Sequence, residues 1–213
     1  HCFSASIIMR RNIDEICTST FCSTRTSWIS RNYAHLAASL AESGKSVLLI
    51  DADLRKSVLM GRVHVEEEVM GLTHYLSKQA KLSDVICATN LPKFHIIFSG
   101  VVPPNPAELL GSRRFEAFLD GARQAYDYVI IDAPPLGNVI DAAIIAKNSD
   151  ASVMVISAKT ISYKFARVVK EQLEKADCPI LGVVLNKVDM KQNKYYGKYY
   201  GNYYGNYGEN GKK

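Results

Sequence analysis

The chain has 213 residues, of which 47% are apolar and 22% are charged, and its formal net charge is +5. This length and balance are typical of a globular domain with a sizeable core, and they exclude disordered, collagen-like and miniprotein classes. No apolar run reaches the roughly 18 residues of a membrane-spanning helix, and the first residues lack the order of a signal peptide. The five cysteines are odd in number and have no C-x-x-C spacing, so we expect a reduced, cytosolic protein without a zinc or disulfide framework.

Residues 1–33 show neither a helical nor a strand period, and residues 14–32 are crowded with Ser, Thr, Arg and Cys. We assign no element to this segment. The change near residue 34 to well-patterned sequence is abrupt, which is more typical of a frameshift, a mis-assembled reading frame or a lesion than of gradual divergence. A patterned core is predicted over 34–189, beginning with a helix over 34–43.

Strand-like and helix-like segments alternate through this core. One helix is predicted to begin at Asn105, with Pro106 at its first position and Glu108 completing a capping box. A second helix is predicted over 161–176. Five short apolar runs rich in Val and Ile predict buried strands at 47–51, 94–100, 128–134, 152–157 and 180–186. The alternation predicts an α/β fold with a doubly wound, mostly parallel sheet and helices on both faces.

Two of the predicted strands end in carboxylates. Asp51 and Asp53 end the first run, and Asp132 ends the third. Because the carboxyl ends of parallel strands meet at one edge, we expect these side chains to converge there. Carboxylates bind Mg²⁺, and a further one can accept the proton of an attacking hydroxyl in phosphoryl transfer. The alternative is that each Asp only ends a strand or caps a helix.

A nucleotide site of this kind needs a phosphate loop, G-x-x-x-x-G-K-[ST]. Gly44, Lys45 and Ser46 spell GKS, but Ser39 stands where the first glycine belongs. The triplet also precedes a strand, whereas a phosphate loop follows one. We interpret it as the turn between helix 34–43 and the next strand.

Tyrosine and positive charge are concentrated near the C-terminal end. Residues 187–213 carry six lysines against two acids, or +4. The repeated Y-Y-G unit cannot bury a core, so we predict that 190–213 form a disordered, flexible tail. Seven of the twelve tyrosines lie in this tail, namely Tyr195, Tyr196, Tyr199, Tyr200, Tyr203, Tyr204 and Tyr207.

Taken together, these segments resemble the BY-kinases, the bacterial tyrosine kinases that control capsular and exopolysaccharide synthesis. VLLIDADLRKS resembles their Walker A′ segment, YVIIDAPP their Walker B segment and PPNPAELLGS, at 103–112, their signature loop. The tyrosine-rich end resembles their autophosphorylated tail. The resemblance covers about residues 34–213 and implies a P-loop NTPase fold of the MinD/ParA type, Mg²⁺ and ATP as cofactors, and phosphorylation of the tail tyrosines of a neighbouring copy.

The resemblance also implies roles for individual residues. Asp51 corresponds to the base for the tyrosine hydroxyl, Asp53 to its catalytic companion and a metal ligand, and Asp132 to the Walker B ligand of Mg²⁺. Asn186 resembles the residue that meets the adenine base, and an Asn that ends a strand in a turn is the alternative. Arg55 is a candidate contact to phosphate or to a neighbouring subunit, with a solvated charge as the alternative.

The Walker A motif of the family is not recognisable. When the family's motif is aligned backwards from the helix at 34–43, Trp28 stands at the position of its glycine, Ile29 at that of its lysine and Ser30 at that of its metal-ligating serine. Of these three positions, Ser30 alone matches the family. The chain then lacks the cation for the β and γ phosphates. We therefore predict that this polypeptide binds and turns over ATP poorly.

The resemblance further implies a transmembrane activator of the polysaccharide co-polymerase type, other copies of the chain and a cognate tyrosine phosphatase as partners, without nucleic acid. We expect a cytoplasmic protein recruited to the inner face of the membrane, whose anchor is either a separate protein or a lost upstream part. Two alternatives stay open, a MinD/ParA-like dimeric ATPase and a catalytically dead regulatory subunit. The tail, in turn, could instead bind nucleic acid or self-associate.

Overall fold

The computed structural model describes residues 3–10, 29–57, 59, 69–134, 140–158 and 162–188, and for residues 3–10 and 29–33 it describes the backbone alone. The tyrosine-rich tail and Trp28 therefore lie outside the described residues, as does the side chain of Ser30. Within the described ranges, no helix is both long enough and apolar enough to cross a membrane.

Strands and helices alternate along the chain as the sequence predicts. The strands are β1 (Phe3–Arg10), β2 (Val47–Asp51), β3 (Cys87–Ala88), β4 (Phe94–Ile97), β5 (Tyr128–Asp132), β6 (Ala151–Ser157) and β7 (Ile180–Asn186). The helices are α1 (Ile29–Glu42), α2 (Leu72–Leu76), α3 (Leu82–Val85), α4 (Pro106–Leu110), α5 (Arg113–Ala125), α6 (Ile140–Lys147) and α7 (Tyr163–Lys175). All five predicted strands are present, and β2 and β7 have the predicted bounds. The predicted burial of 180–186 is wrong within the described residues, because β7 is the edge strand of the sheet and Leu181, Val183 and Leu185 are each about half exposed.

The strands form one sheet in the order β3-β4-β2-β5-β1-β6-β7. Strand β2 is parallel to β4 and β5, and β6 is parallel to β7. Because β1 is antiparallel to both β5 and β6, those two strands point the same way. Five strands therefore share one direction, and the prediction of a mostly parallel sheet is confirmed, with β1 and β3 as the antiparallel members.

Strand β1 lies inside the sheet, between β5 and β6, in a segment where the sequence predicted no element. Its register pairs Ser6 with Asp132 and Arg10 with Tyr128, so β1 begins at the carboxyl edge of β5 and ends at the opposite edge. A phosphate loop follows a strand that ends at the carboxyl edge of its neighbours. Strand β1 runs away from that edge, which agrees with the missing Walker A motif.

Helices cover both faces of the sheet, as predicted. On one face α1 packs over Val47, Leu49 and Ile130. On the other face α5, α6 and α7 enclose a second cluster that includes Phe115 and Ile131, both fully buried. Burying one side chain of the size of Phe115 contributes about 2 to 3 kcal/mol.

Helix α4 begins as predicted, with Asn105 as N-cap and Pro106 in the first turn. The predicted capping box is wrong. The Glu108 side chain accepts a hydrogen bond from Asn105 Nδ2 at 2.6 Å, so it contacts the side chain of the cap and not its backbone amide.

The GKS triplet is the turn between α1 and β2, as predicted. Gly44 has a φ of +89°, a conformation that favours glycine after a helix end. The Ser46 hydroxyl donates to Asp127 Oδ2 at 2.9 Å and accepts from the Asp127 amide at 2.9 Å. The triplet thus joins the amino ends of β2 and β5, at the edge of the sheet opposite the predicted site.

Candidate active site

Asp51 and Asp132 lie side by side at the carboxyl edge of the sheet. They are the last residues of β2 and β5, and the parallel register pairs them directly. Neighbouring strands lie about 4.8 Å apart. Both residues are buried, with 1% and 7% exposure, and the Ala52 amide donates to the Asp132 carbonyl oxygen at 2.9 Å. The predicted convergence of carboxylates at this edge is confirmed for this pair.

The two oxygens of Asp51 differ in their surroundings. Oδ2 accepts a hydrogen bond from the Ser57 hydroxyl, and that hydroxyl itself accepts from the Leu59 amide at 3.2 Å. Oδ1 is buried, and no hydrogen bond of normal geometry reaches it from the described residues, although the backbone amides of Ser99 and Asp53 lie close enough to the carboxylate to oppose the rise of its pKa. A buried acceptor oxygen is therefore left for a ligand or a proton.

Burial raises the pKa of Asp51 to about 6, while the Ser57 hydrogen bond opposes the shift and the charge of Asp53 adds to it. An ordinary Asp titrates near 4. A carboxylate whose pKa is close to the working pH is a better proton acceptor than one titrating at 4, because it binds the proton more tightly. Asp51 is suited to accept a proton from a substrate hydroxyl.

Asp53 stabilises the turn that follows β2. Its Oδ1 accepts from the amides of Arg55 at 3.2 Å and Lys56 at 3.0 Å. Asp53 therefore caps the backbone after its strand, which is the alternative to a metal-binding role. It does not exclude metal binding, because an ionised carboxylate has about four lone-pair sites.

Arg55 forms an ion pair with Asp141 in the first turn of α6. Arg55 Nε lies 2.7 Å from Asp141 Oδ2, and Nη2 lies 3.2 Å from Oδ1. The hydrogen bond to Asp141 raises the pKa of the guanidinium further. Sequence reasoning missed both Asp141 and Ser57, since an acid in the first turn of a helix and a Ser after a turn are common in any protein.

Asn186 ends β7 at the same edge of the sheet but does not adjoin the carboxylates. Three strand spacings separate β5 from β7, or about 14 Å. Its Oδ1 accepts from the Lys187 amide at 2.7 Å, as the turn alternative predicts. Its Nδ2 is buried and lacks a partner within the described part of the chain, so a donor remains there for a ligand acceptor.

A close backbone contact holds the wall of the site beside β2. The amide of Leu72 donates to the Phe98 carbonyl oxygen at 2.7 Å, and that of Thr73 to the Ser99 carbonyl oxygen at 2.9 Å. A Cβ atom on Gly71 would collide with the Phe98 carbonyl oxygen and with the backbone of Gly100. Only glycine fits between α2 and the end of β4.

The donor set fits Mg²⁺ in its chemistry. Carboxylate oxygens are hard ligands, and Mg²⁺ commonly takes one or two of them together with phosphate oxygens and water. The ranges that the structure describes contain no group of three or more His, Cys, Asp or Glu that could hold a metal by itself. Helix α1 begins at Ile29, which places Ser30 in its first turn, and its predicted metal contact stays a prediction.

Comparison with known proteins gives consistent matches. The AAA domain family matches residues 30–177. Tyrosine-protein kinase CpsD of Streptococcus agalactiae is 46% identical over 154 residues, which are 72% of this chain and 67% of that protein. This chain thus spans about two thirds of the length of the curated relatives it matches.

Two solved structures extend the comparison to the fold. The kinase domain of the Escherichia coli tyrosine kinase ETK has a TM-score of 0.70 at 35% identity, covering 76% of this chain and 64% of that one. The septum site-determining protein MinD of Pyrococcus horikoshii, complexed with Mg-ADP, has a TM-score of 0.59 at 25% identity, covering 71% and 62%. The fold is that of the P-loop NTPases, and the likeness is greater to the kinase domain than to MinD.

Proposed function

This chain belongs to the capsule-type bacterial tyrosine kinases, a family of protein-tyrosine kinases, and we propose that its core phosphorylates the tyrosine-rich tail of a neighbouring copy. The observation that carries the proposal is Asp51, a buried carboxylate with a pKa of about 6 and one oxygen that has no hydrogen-bond partner among the described residues. It lies in register with Asp132, whose position suits a ligand of Mg²⁺.

The three carboxylates divide two tasks in the proposed reaction. Asp51 accepts the proton of the tyrosine hydroxyl while the phenolic oxygen bonds to the γ-phosphorus and the bond to the leaving ADP breaks. Asp53 and Asp132 would hold Mg²⁺. When bound, Mg·ATP supplies the phosphoryl group and neutralises charge that develops on it.

The charge of the tail suits this substrate role. Residues 190–208 contain three lysines and no acid, whereas the edge of the sheet presents Asp51, Asp53 and Asp132. Each phosphorylation adds about −1.5 to −2 charge. Several phosphates therefore make the tail acidic and weaken its attraction to the site, which releases the modified tail.

A phosphotyrosine blot of cells expressing the chain, with and without residues 195–207, tests the proposal. We expect signal only with the tail, and loss of at least 90% of it in Asp51→Asn. Asp120→Asn, at a surface position in α5, is the matched control and should keep the signal. ATP hydrolysis without any phosphotyrosine would instead indicate a MinD/ParA-like ATPase.

A catalytically inactive regulatory subunit is the second candidate. It is favoured by the antiparallel direction of β1 and by Trp28 and Ile29 at the Walker A positions. A titration of the purified chain with Mg·ATP distinguishes the two. Saturable binding, weak because the Walker A motif is missing, supports the kinase, whereas no saturation at millimolar concentration supports the inactive subunit.

The finer biological role follows from family membership and is also proposed. The chain acts in capsular or exopolysaccharide synthesis and export, at the inner face of the membrane, with a transmembrane activator and a cognate tyrosine phosphatase. Cell fractionation with and without that activator tests this role. Recovery of the chain in the membrane fraction regardless of the activator would contradict recruitment by it.

A further inference from the structure

We infer that Arg55 and Asp141 form a positioning pair, which fixes the turn carrying the site carboxylates to the first turn of α6. Neither residue needs to touch the substrate in this role. The meaning of the pair for catalysis rests on the proposed function, while its effect on the turn can be measured without any activity.

The geometry of the pair restrains both partners. Two guanidinium nitrogens of Arg55 bond to the two carboxylate oxygens of Asp141, at 2.7 and 3.2 Å. Such bidentate contacts fix orientation as well as distance. The residues are 86 positions apart, so the contact is tertiary and not a local helix pair.

The full burial of its acid distinguishes this pair from the other ion pairs that the structure describes. The Asp141 side chain is 0% exposed and that of Arg55 is 47% exposed. In the pair between Arg167 and Glu171 on α7, both side chains are at least 49% exposed. Leaving a buried carboxylate unpaired is costly, so the burial of Asp141 favours conformations in which Arg55 stays bonded to it.

The restraint on Arg55 reaches the carboxylates through the turn. The amides of Arg55 and Lys56 donate to Asp53 Oδ1, and the next residue, Ser57, donates to Asp51 Oδ2. Anchoring the Arg55 side chain therefore holds the backbone that orients both acids.

The pair also joins the two halves of the site. Arg55 follows β2, which ends in Asp51, and Asp141 begins the helix that follows β5, which ends in Asp132. A contact between these segments restrains the distance and orientation between the carboxyl ends of β2 and β5. The contact engages two nitrogens of Arg55, whose guanidinium carries five N–H donors, so the contact to phosphate or to a neighbouring subunit stays a prediction.

Hydrogen exchange of the Lys56 amide, measured by NMR, tests the inference directly. In Arg55→Met we expect the protection factor of this amide to fall at least about tenfold, because the turn opens more often. Arg55→Lys keeps the positive charge but lacks the planar guanidinium that bonds to both carboxylate oxygens, so it should restore only part of the protection. Arg167→Met removes an exposed cation and is the matched control, with no expected change.

A double variant covers the case in which a single change leaves Asp141 unpaired and the chain unfolds. Arg55→Met with Asp141→Leu replaces the buried pair by apolar side chains, which is often neutral for stability. We expect a wild-type Tm, an unchanged Asp127 amide at the opposite edge, and low Lys56 protection. Lys56 protection within twofold of wild type in this variant would overturn the inference.

Tail phosphorylation, measured in the same variants, tests the catalytic part. We expect it to fall in step with Lys56 protection. Lost protection with full phosphorylation would overturn the role of the pair in catalysis. If the wild-type chain shows no phosphorylation at all, the proposed function fails, and the Lys56 protection by itself still decides whether the pair fixes the turn.

Discussion

Replacing Asp51 by Asn should stabilise the fold while removing the proposed function. Asp51 is 1% exposed, and burial raises its pKa from 3.8 to about 6. Between these two values the folded chain binds the proton more tightly than the unfolded chain does. The stabilising contribution is therefore fully present below pH 3.8 and is lost as the pH rises through about 6.

The size of the effect follows from the shift. About two pKa units at about 1.4 kcal/mol each correspond to about 3 kcal/mol of destabilisation above pH 7. At pH 5, which lies between the two pKa values, about half of this destabilisation is present. Asn at position 51 carries no charge at either pH, so the gain from Asp51→Asn should be larger at pH 8 than at pH 5 by about 1.5 kcal/mol.

Urea unfolding at pH 8 and pH 5, in EDTA so that no divalent ion binds, measures this difference. Any effect of the Asn amide on the free energy of unfolding that does not depend on pH is the same at both pH values, so it cancels when the two gains in stability are compared. Asp120→Asn, at a position that is 66% exposed, should show no such pH-dependent gain. An equal gain, or an equal loss, at both pH values for Asp51→Asn would refute a buried carboxylate with a raised pKa.

Three further predictions concern stability and the GKS turn. Gly71→Ala should cost at least about 2 kcal/mol in urea unfolding because no space exists for a Cβ, whereas Gly121→Ala, in a helix with open space, should gain about 0.5 to 1 kcal/mol. Equal effects of the two would contradict the close contact. Ser46→Ala should cost about 1 to 2 kcal/mol, since the side chain of Asp127 loses a partner, and a change below 0.3 kcal/mol would count against that link. Lys45→Met should leave Mg·ATP affinity unchanged in a titration, and a tenfold loss would show that GKS contacts phosphate after all.

The sequence predicted the sheet well where a strand is apolar on both faces. Strands β2 and β7 have the predicted bounds because runs of Val, Ile and Leu favour an extended backbone. Burial was predicted correctly for β2. Strand β7 instead lies at the edge of the described sheet with Leu181, Val183 and Leu185 about half exposed, because an apolar run does not show whether a strand lies inside a sheet or at its edge. The meeting of Asp51 and Asp132 followed from the same pattern, since parallel neighbours share an edge.

Strand β1 shows what local pattern cannot give. Its sequence, FSASIIMR, mixes polar and apolar residues without a clear period, and it lies in a segment with no other pattern. Its place between β5 and β6 and its antiparallel direction depend on pairing with strands more than 100 residues away. The start of α1 at Ile29, five residues before the predicted start, was missed for the same lack of a period.

The partners of the site residues were also beyond prediction. Ser57 and Asp141 are ordinary residues in ordinary positions, and their importance comes only from the tertiary contacts with Asp51 and Arg55. Periodicity identifies which face of an element is buried, but it carries no information on which polar side chains meet across the fold.

Mass spectrometry of a mixture of two variants tests the central claim most directly. One variant lacks residues 195–207 and keeps Asp51, and the other carries Asp51→Asn and keeps the tail. Incubated together with Mg·ATP, the pair should yield phosphotyrosine on 195–207 of the Asp51→Asn copy, slowly because the Walker A motif is missing, while that copy alone yields none. Absence of phosphate from the mixture, or its presence on the Asp51→Asn copy alone, would contradict a carboxylate edge that phosphorylates the tail of a neighbouring chain.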